Sequence, residues 1–251
     1  MIFEFPTHDV SRFCLRLEKL SAQIVSLRQA KLLHMAIEHQ VELLQLMDRP
    51  DIRTKFVKVL HVLLQRYQDF IKENHVDQIF LQQLISRIKQ ALFFLEHDLR
   101  NLVQEAHESA FTSQLIQGFS APARLCEFSH PVLAIIDQFA GSKWLANWFD
   151  LTAPFQNVGQ LLLDIFRMDI EEYLLMAHGG HCYLELPSQY EVMLLQIEIS
   201  EPLFPIISYG RARVSLHFQQ FANKPHHQLG LPVTRSMEVR VKMSQLSKSA
   251  V

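Results

Sequence analysis

Leu203-Phe204-Pro205-Ile206-Ile207-Ser208-Tyr209-Gly210-Arg211-Ala212-Arg213-Val214-Ser215-Leu216-His217-Phe218 decides how this chain is read. The second half alternates. Arg211, Arg213, Ser215 and His217 fall on one side; Ala212, Val214, Leu216 and Phe218 fall on the other. A period of two marks a strand with one wet and one buried face. The first half, with Pro205 and then Ser208-Tyr209-Gly210, reads as a turn into a sheet. On such a strand Arg211 and Arg213 leave the same side, giving a short positive strip on a rigid support.

Outward from this strand, strands are expected at about 181–186, 192–200 and 236–243, where Met193, Leu195, Ile197, Ile199 and Met237, Val239, Val241, Met243 alternate. Residues 124–128 and 132–139 read as further strands, 221–234 as a long loop and 244–251 as a frayed tail. Residues 2–6 are either a small strand or an apolar arm. The front of the chain has a different period. From Asp9 the apolar residues Val10, Phe13, Leu17, Leu20, Ile24 and Leu27 recur at three and four, as on an amphipathic helix. Further helices are expected at about 29–47, 51–73, 76–97 and 99–116, with a break at Asp48-Arg49-Pro50-Asp51 that proline imposes. Helical patterns return at 142–149 and 154–177, the second closed by Gly179-Gly180. The class is α+β: an N-terminal helical bundle plus a mainly antiparallel sheet interrupted by a helical excursion. The division expected is a helical domain at 1–119, with the helices of 142–178 packing on it, a β domain at 120–140 and 179–245, and a tail at 246–251.

The 251 residues are 49 % hydrophobic and 20 % charged, with a formal net charge of −2. A substantial core follows, and a global basic field for non-specific nucleic-acid binding does not. The charge is uneven. Residues 127–200 carry a net −8, residues 201–251 a net +5 and the remainder +1. That asymmetry fits either a charged partner surface or neutralisation within the chain. Three scattered cysteines, Cys14, Cys126 and Cys182, argue against a disulfide framework and for a reducing compartment. No basic-then-apolar leader and no run of eighteen apolar residues are visible, so a cytoplasmic protein without membrane insertion is expected.

Catalytic motifs are absent from the sequence: no phosphate-cradling glycine loop, no nucleophile elbow, no His-Glu-x-x-His. No enzyme activity, no cofactor and no metal is therefore expected. His178, His181 and Cys182 on the Gly-Gly turn are of ligand type, but their spacing matches no standard zinc site and a fourth ligand is missing. Asp169, Glu171 and Glu172 are close carboxylates, with a solvated helix face as the ordinary alternative to a catalytic pair. Arg12 with Arg16, and Arg49 with Arg53, are pairs on or beside helix surfaces. Scattered solubilising charge is the competing reading for them, and an internal salt bridge to 127–200 is the competing reading for Arg211 and Arg213.

A collinear set of short matches then stands out: Phe3-Glu4-Phe5-Pro6, Arg12, Leu15-Arg16-Leu17-Glu18, Arg49-Pro50-Asp51-Ile52-Arg53-Thr54, Ser120, Pro122, Cys126, Phe128, Pro131, Pro154, Leu163-Asp164-Ile165-Phe166-Arg167, Phe204-Pro205-Ile206-Ile207-Ser208, Arg211, Arg213 and Phe218. In this the chain resembles the ZapD family, the Z-ring-associated proteins of bacterial cell division, over roughly residues 2–218. The resemblance implies a cytoplasmic, non-enzymatic homodimer at the mid-cell division site. It implies binding to the carboxyl-terminal tail of FtsZ, the tubulin-like division GTPase, and bundling of FtsZ filaments in support of Z-ring assembly. It also implies that basic residues line the binding pocket, which places Arg12, Arg16, Arg49, Arg53, Arg211 and Arg213 in the FtsZ-tail site. The chain departs from the family at His107, Ala110, Ile116 and Gly118, where members can carry arginines, and at His178-Gly179-Gly180-His181, which replaces an acidic Gly-Gly turn. A nucleic-acid-binding module using the basic C-terminal sheet is the alternative; low net basic charge and few interleaved aromatics count against it. A small hydrolase ranks last, for want of any nucleophile–base spacing.

Overall fold

The computed structural model describes residues 1–72, 77–119, 133, 135–199, 202–221 and 230–247. It is α+β, with helices ahead of antiparallel sheets. The chain divides into two units, Phe13–Leu163 and Met1–Arg12 with Asp164–Val251.

The first unit is helical. Helix α1 spans Asp9–Gln29, α2 Leu33–Met47, α3 Pro50–Phe70 and α4 Gln78–Phe93. A π-helical turn at Phe94–Asp98 continues into α5, Leu99–Glu108, and α6 is Ala110–Phe119. A 3₁₀ turn at Ile136–Phe139, then α7 at Lys143–Asp150 and α8 at Ala153–Met168, complete the helical order. The apolar stripes behave as their spacing requires. Leu17, Leu20, Ile24, Ile37, Val41, Ile52, Phe56, Val59, Leu63, Leu81, Leu84 and Ile88 are all buried. Phe56 stacks on Phe155 with centroids 5.8 Å apart. Helix α1 meets α8 at Gly159, where a Cβ would lie 2.8 Å from Leu17 Cδ1. Pro50 opens α3 at a position that needs no N–H. Asp77 caps α4 by accepting from the N–H groups of Ile79 and Phe80, both at 3.0 Å.

The second unit holds two sheets. One has the order β1-β4-β8-β2, from Ile2–Pro6, Tyr190–Glu198, Met237–Ser247 and Glu171–Ala177. The other has the order β3-β6-β5, from His181–Glu185, Arg213–Phe221 and Leu203–Tyr209, with the short β7, Gly230–Pro232, paired to β6. Leu195, Ile197, Val214, Leu216, Phe218, Val239, Val241 and Met243 belong to one buried cluster, with Phe3 and Phe5 of β1 packed on it.

Several expectations are corrected. Residues 171–177 are strand, not the end of a helix: α8 stops at Met168, and β2 pairs with β8 from Glu171↔Met243 to Ala177↔Met237. Gly179 and Gly180, both at positive φ, form a hairpin turn rather than a helix stop. Residues 203–209 are strand, not turn. Pro205 is accommodated because β5 is an edge, where a missing N–H leaves no ladder bond unmade. Arg211 and Ala212 are the two turn residues between β5 and β6, closed by the Gly210 N–H donating to Arg213 O at 3.0 Å. The strand starts at Arg213. Residues 136–139 are 3₁₀ helix rather than strand, while the strand expected at 124–128 lies outside the described residues. Helix α1 runs on to Gln29, so the first break falls at 30–32, where Lys31 has φ 61°. A second break at Ser109 divides the expected fifth helix. Strand β8 continues to Ser247, pairing Ser244, Gln245 and Leu246 with β4 instead of fraying.

Candidate functional site

In the helical unit the exposed face of α1 carries Arg16, whose Nε donates to Glu42 Oε1 on α2 at 2.8 Å and whose Nη2 donates to the same oxygen. Arg49 precedes Pro50 and takes the extended backbone that a pre-proline residue favours, φ −76°, ψ 113°. This turns its guanidinium back onto Asp51 as a fork, Nε to Oδ1 at 3.1 Å and Nη2 to Oδ2 at 2.8 Å. The Asp51 carboxyl is thereby held below the usual carboxylate range, chiefly by those Arg49 hydrogen bonds. The same guanidinium lies 5.2 Å from the centre of the Phe13 ring, and the Lys55 ammonium lies 5.8 Å from it. A shallow hollow of about 460 Å³ is lined by Glu42, Gln45, Leu46 and Arg49. Arg53, one turn along α3, donates to the Glu96 carbonyl at 3.3 Å.

Arg16 and Arg49 thus reach one hollow, Arg16 through its partner Glu42, while Arg53 turns toward the π-helical segment. The carboxylates that hold Arg16 and Arg49 are themselves partly or largely exposed. Solvent screens such pairs, so an incoming carboxylate can replace Glu42 or Asp51 at small cost. Phe13, Glu42 and Lys55 escaped the sequence reading. Phe13 scans as one more core position of the α1 stripe, and nothing in a 26-residue separation ties Arg16 to Glu42.

The other unit carries Arg12, Arg211 and Arg213. Arg12 is well exposed and meets Asp9 at 3.3 Å. Arg211, at the hairpin tip, borders a hollow of about 430 Å³ together with Tyr190, Glu191 and Tyr209. Burial, and then Glu191, raise the Tyr209 hydroxyl above its ordinary range. Arg213 begins β6 in register with Glu185. Both guanidinium groups are exposed, and neither is ion-paired with a described residue. Because Arg211 sits in the turn, the two do not form the strand-borne strip that alternation suggested; one caps the hairpin and one opens the strand.

The remaining candidates separate. Glu171 and Glu172 alternate across β2 and face opposite ways. Glu171 accepts from the Tyr173 hydroxyl at 2.6 Å, which pushes that phenol up to about 12, and Glu172 pairs with Arg240 at 3.0 Å. They are not a catalytic pair. Cys182 turns toward the core side of β3, where burial pushes its thiol up to about 11, while its neighbour His181 is exposed. The His181 ring stacks instead on His217. Among the described residues no three His, Cys, Asp or Glu side chains gather as metal ligands, and no helix is long and apolar enough to cross a membrane.

The model of the ZapD family, described as a cell division protein, matches residues 15–217. The chain is 25 % identical over 224 residues to the cell division protein ZapD of Coxiella burnetii, covering 86 % of this chain and 87 % of that one. Against ZapD of Shewanella baltica it is 25 % identical over 233 residues, covering 90 % and 93 %. Against ZapD of Shigella flexneri it is 24 % identical over 225 residues, covering 87 % and 90 %. The match takes in Arg16, Arg49 and Arg53 from the helices as well as Arg211 and Arg213 from the β5–β6 hairpin, and on that extent the chain belongs to the ZapD family of cell division proteins.

Proposed function

We propose that this protein binds the carboxyl-terminal tail of FtsZ through exposed arginines and, as a homodimer, bridges FtsZ filaments at the division site without catalysing a reaction. The observation that carries the reading is the state of those arginines. Arg211 and Arg213 have no ion-pair partner among the described residues, and Arg16 and Arg49 are ion-paired with carboxylates that solvent reaches. An acidic peptide brings the carboxylates that planar guanidinium forks match, with aliphatic or aromatic anchors adding desolvated contact. Arg16, Arg49 and Arg53 supply cations on the helical unit; Arg12, Arg211 and Arg213 supply them on the β unit. Phe13 and Tyr209 are the apolar surfaces beside them. A weak single site is enough for bridging, since two sites on a dimer facing many tails on a polymer raise effective binding about 10²–10⁴-fold.

The test is fluorescence anisotropy with a labelled FtsZ tail peptide against wild type, R16E/R49E and R211E/R213E. The expected result is saturable binding by wild type and loss in both variants, with circular dichroism unchanged. Wild-type affinity in both folded variants overturns the residue assignment, and no binding by wild type overturns the function. A gel shift on the same samples decides the nucleic-acid alternative: retention of a duplex at 150 mM salt would replace the peptide reading.

A further inference from the structure

The end of α1, the start of α2 and one side of α7 border a cavity of about 890 Å³ in the helical unit. Small-molecule sites span about 300–1,000 Å³. The floor is core: Leu33, Leu145 and Phe149 line it and are all buried. Gly141, at φ +80°, turns the chain from the 3₁₀ segment into α7 along one wall. Three charged residues, Arg28, Lys31 and Asp137, also line it. None of the three is ion-paired with a described residue, although charges of both signs border the same cavity.

Two features single out the cations. The Arg28 guanidinium carbon lies over the Phe149 ring, 4.6 Å from its centre. The ring face holds the cation against the floor and takes none of its N–H donors, and no described residue accepts from them. Lys31 has φ 61°. The Leu32 N–H donates to Leu27 O at 2.9 Å and the Lys31 N–H donates to Arg28 O at 3.1 Å. These are the paired bonds that close a helix through a left-handed residue, a position that glycine fills without strain. Cations near a helix C-terminus offset its dipole, but any neighbouring position serves that role. A lysine at this one sets an ammonium at the exposed edge of the cavity against the preference of the backbone.

We propose that this cavity binds a single-chain amphiphile with an anionic head, a long-chain carboxylate or a monoalkyl phosphate, the head on Arg28 and Lys31 and the chain over Leu33, Leu145 and Phe149. The planar fork of Arg28 and the point charge of Lys31 suit either oxyanion. The aliphatic chain leaves water for an apolar floor, which supplies the larger share of the affinity. Asp137, in the 3₁₀ segment, repels an anion, so the head seats at the α1 end of the cavity. None of the arginines assigned to the FtsZ tail lines this cavity, and amphiphile binding is independent of tail binding.

The test is isothermal titration of the full chain with octanoate, decanoate, dodecanoate and decyl phosphate, each below its micellar concentration. The expected result is one ligand per chain, with affinity rising about fourfold per added methylene. Decanoate and decyl phosphate together show which head is preferred. Decyltrimethylammonium and decanol should bind about tenfold more weakly than decanoate, or less. R28Q weakens decanoate about tenfold and K31G by a smaller factor, while D137N binds at least as tightly as wild type. A146F fills the cavity from α7 and abolishes binding. K31G places glycine where the backbone prefers it, so its urea midpoint is no lower than wild type and its weaker binding is not loss of fold. Both tryptophans, Trp144 and Trp148, lie on α7, so a terminally brominated dodecanoate should quench their fluorescence with the same saturation. No saturable binding by wild type, affinity indifferent to chain length, or decanol or decyltrimethylammonium equal to decanoate overturns the site. So does unchanged affinity in R28Q and K31G or in a folded A146F, or weaker binding in D137N. If A146F does not fold, R28Q and K31G decide.

Discussion

Glu4 is held by three donors: Arg167 Nε at 2.7 Å, Arg167 Nη2 at 2.6 Å and Gln196 Nε2 at 2.9 Å. Glu4 and Arg167 are both more than two-thirds covered, so this ion pair is screened less than those of the arginine surfaces. Its carboxyl lies below the usual range, the Arg167 hydrogen bonds being the largest cause and burial opposing them. The unfolded chain therefore takes up the proton more readily than the folded one. The stabilisation is complete above the unfolded glutamate value of about 4.3 and drains away as pH falls through the lower folded value. We expect E4Q to cost about 1–2 kcal/mol at neutral pH. Urea midpoints of wild type and E4Q should converge as pH drops below about 4; a gap that persists unchanged into acid would show that the cost of E4Q is packing rather than charge.

At the scale of elements, the helices were legible because burial on one side leaves a 3.6-residue period. The strands were legible where one face is dry and the other wet, as in β8 from Met237 to Val241. The failures have local causes. Residues 171–177 follow directly on the α8 pattern, and although burial alternates from Glu172 to Ala177, the exposed face carries apolar Leu174 and Met176, so the sequence shows no polar–apolar alternation. Pro205 reads as a strand breaker unless the strand is known to be an edge. The arginines were legible as residues but not as a constellation, since Glu42 reaches Arg16 from 26 residues away by tertiary packing and Phe13 scans as part of the core stripe. Least legible was the support of α7. Gln40 of α2 is fully buried, and its amide donates to the carbonyls of Trp148 at 3.2 Å and Phe149 at 3.0 Å and to Thr152 Oγ1 at 3.2 Å. Those carbonyls lie in the last turn of α7, where helical acceptors lose their own partners. Q40M keeps the volume and removes the donors. It should destabilise by about 1–3 kcal/mol, the cost of leaving buried acceptors unmet, read as a lower urea midpoint with an unchanged slope. A midpoint equal to wild type would mean that water replaces the amide.

For the molecule as a whole, net charge says little, because −2 conceals the positive C-terminal segment and the acidic one before it. What matters for the proposed tail binding is which charges an acidic tail would meet, and how far they reach. Near physiological ionic strength exposed charges are screened beyond about 8 Å, and at 1 M salt beyond about 3 Å. If exposed arginines carry tail recognition, single-site peptide affinity must fall with salt. Filament bundling must fall more steeply, since cross-linking needs two engagements at once and their weakening compounds. Light scattering of FtsZ polymers with this protein across 50–500 mM KCl should therefore lose amplitude faster than peptide anisotropy loses affinity. R211K/R213K should separate charge from fork geometry. Lysine keeps the charge and the salt slope but gives up bidentate carboxylate contact, so affinity should drop while the slope stays. Bundling that is indifferent to salt would assign recognition to apolar contact, with Phe13 and Tyr209 then the residues to substitute.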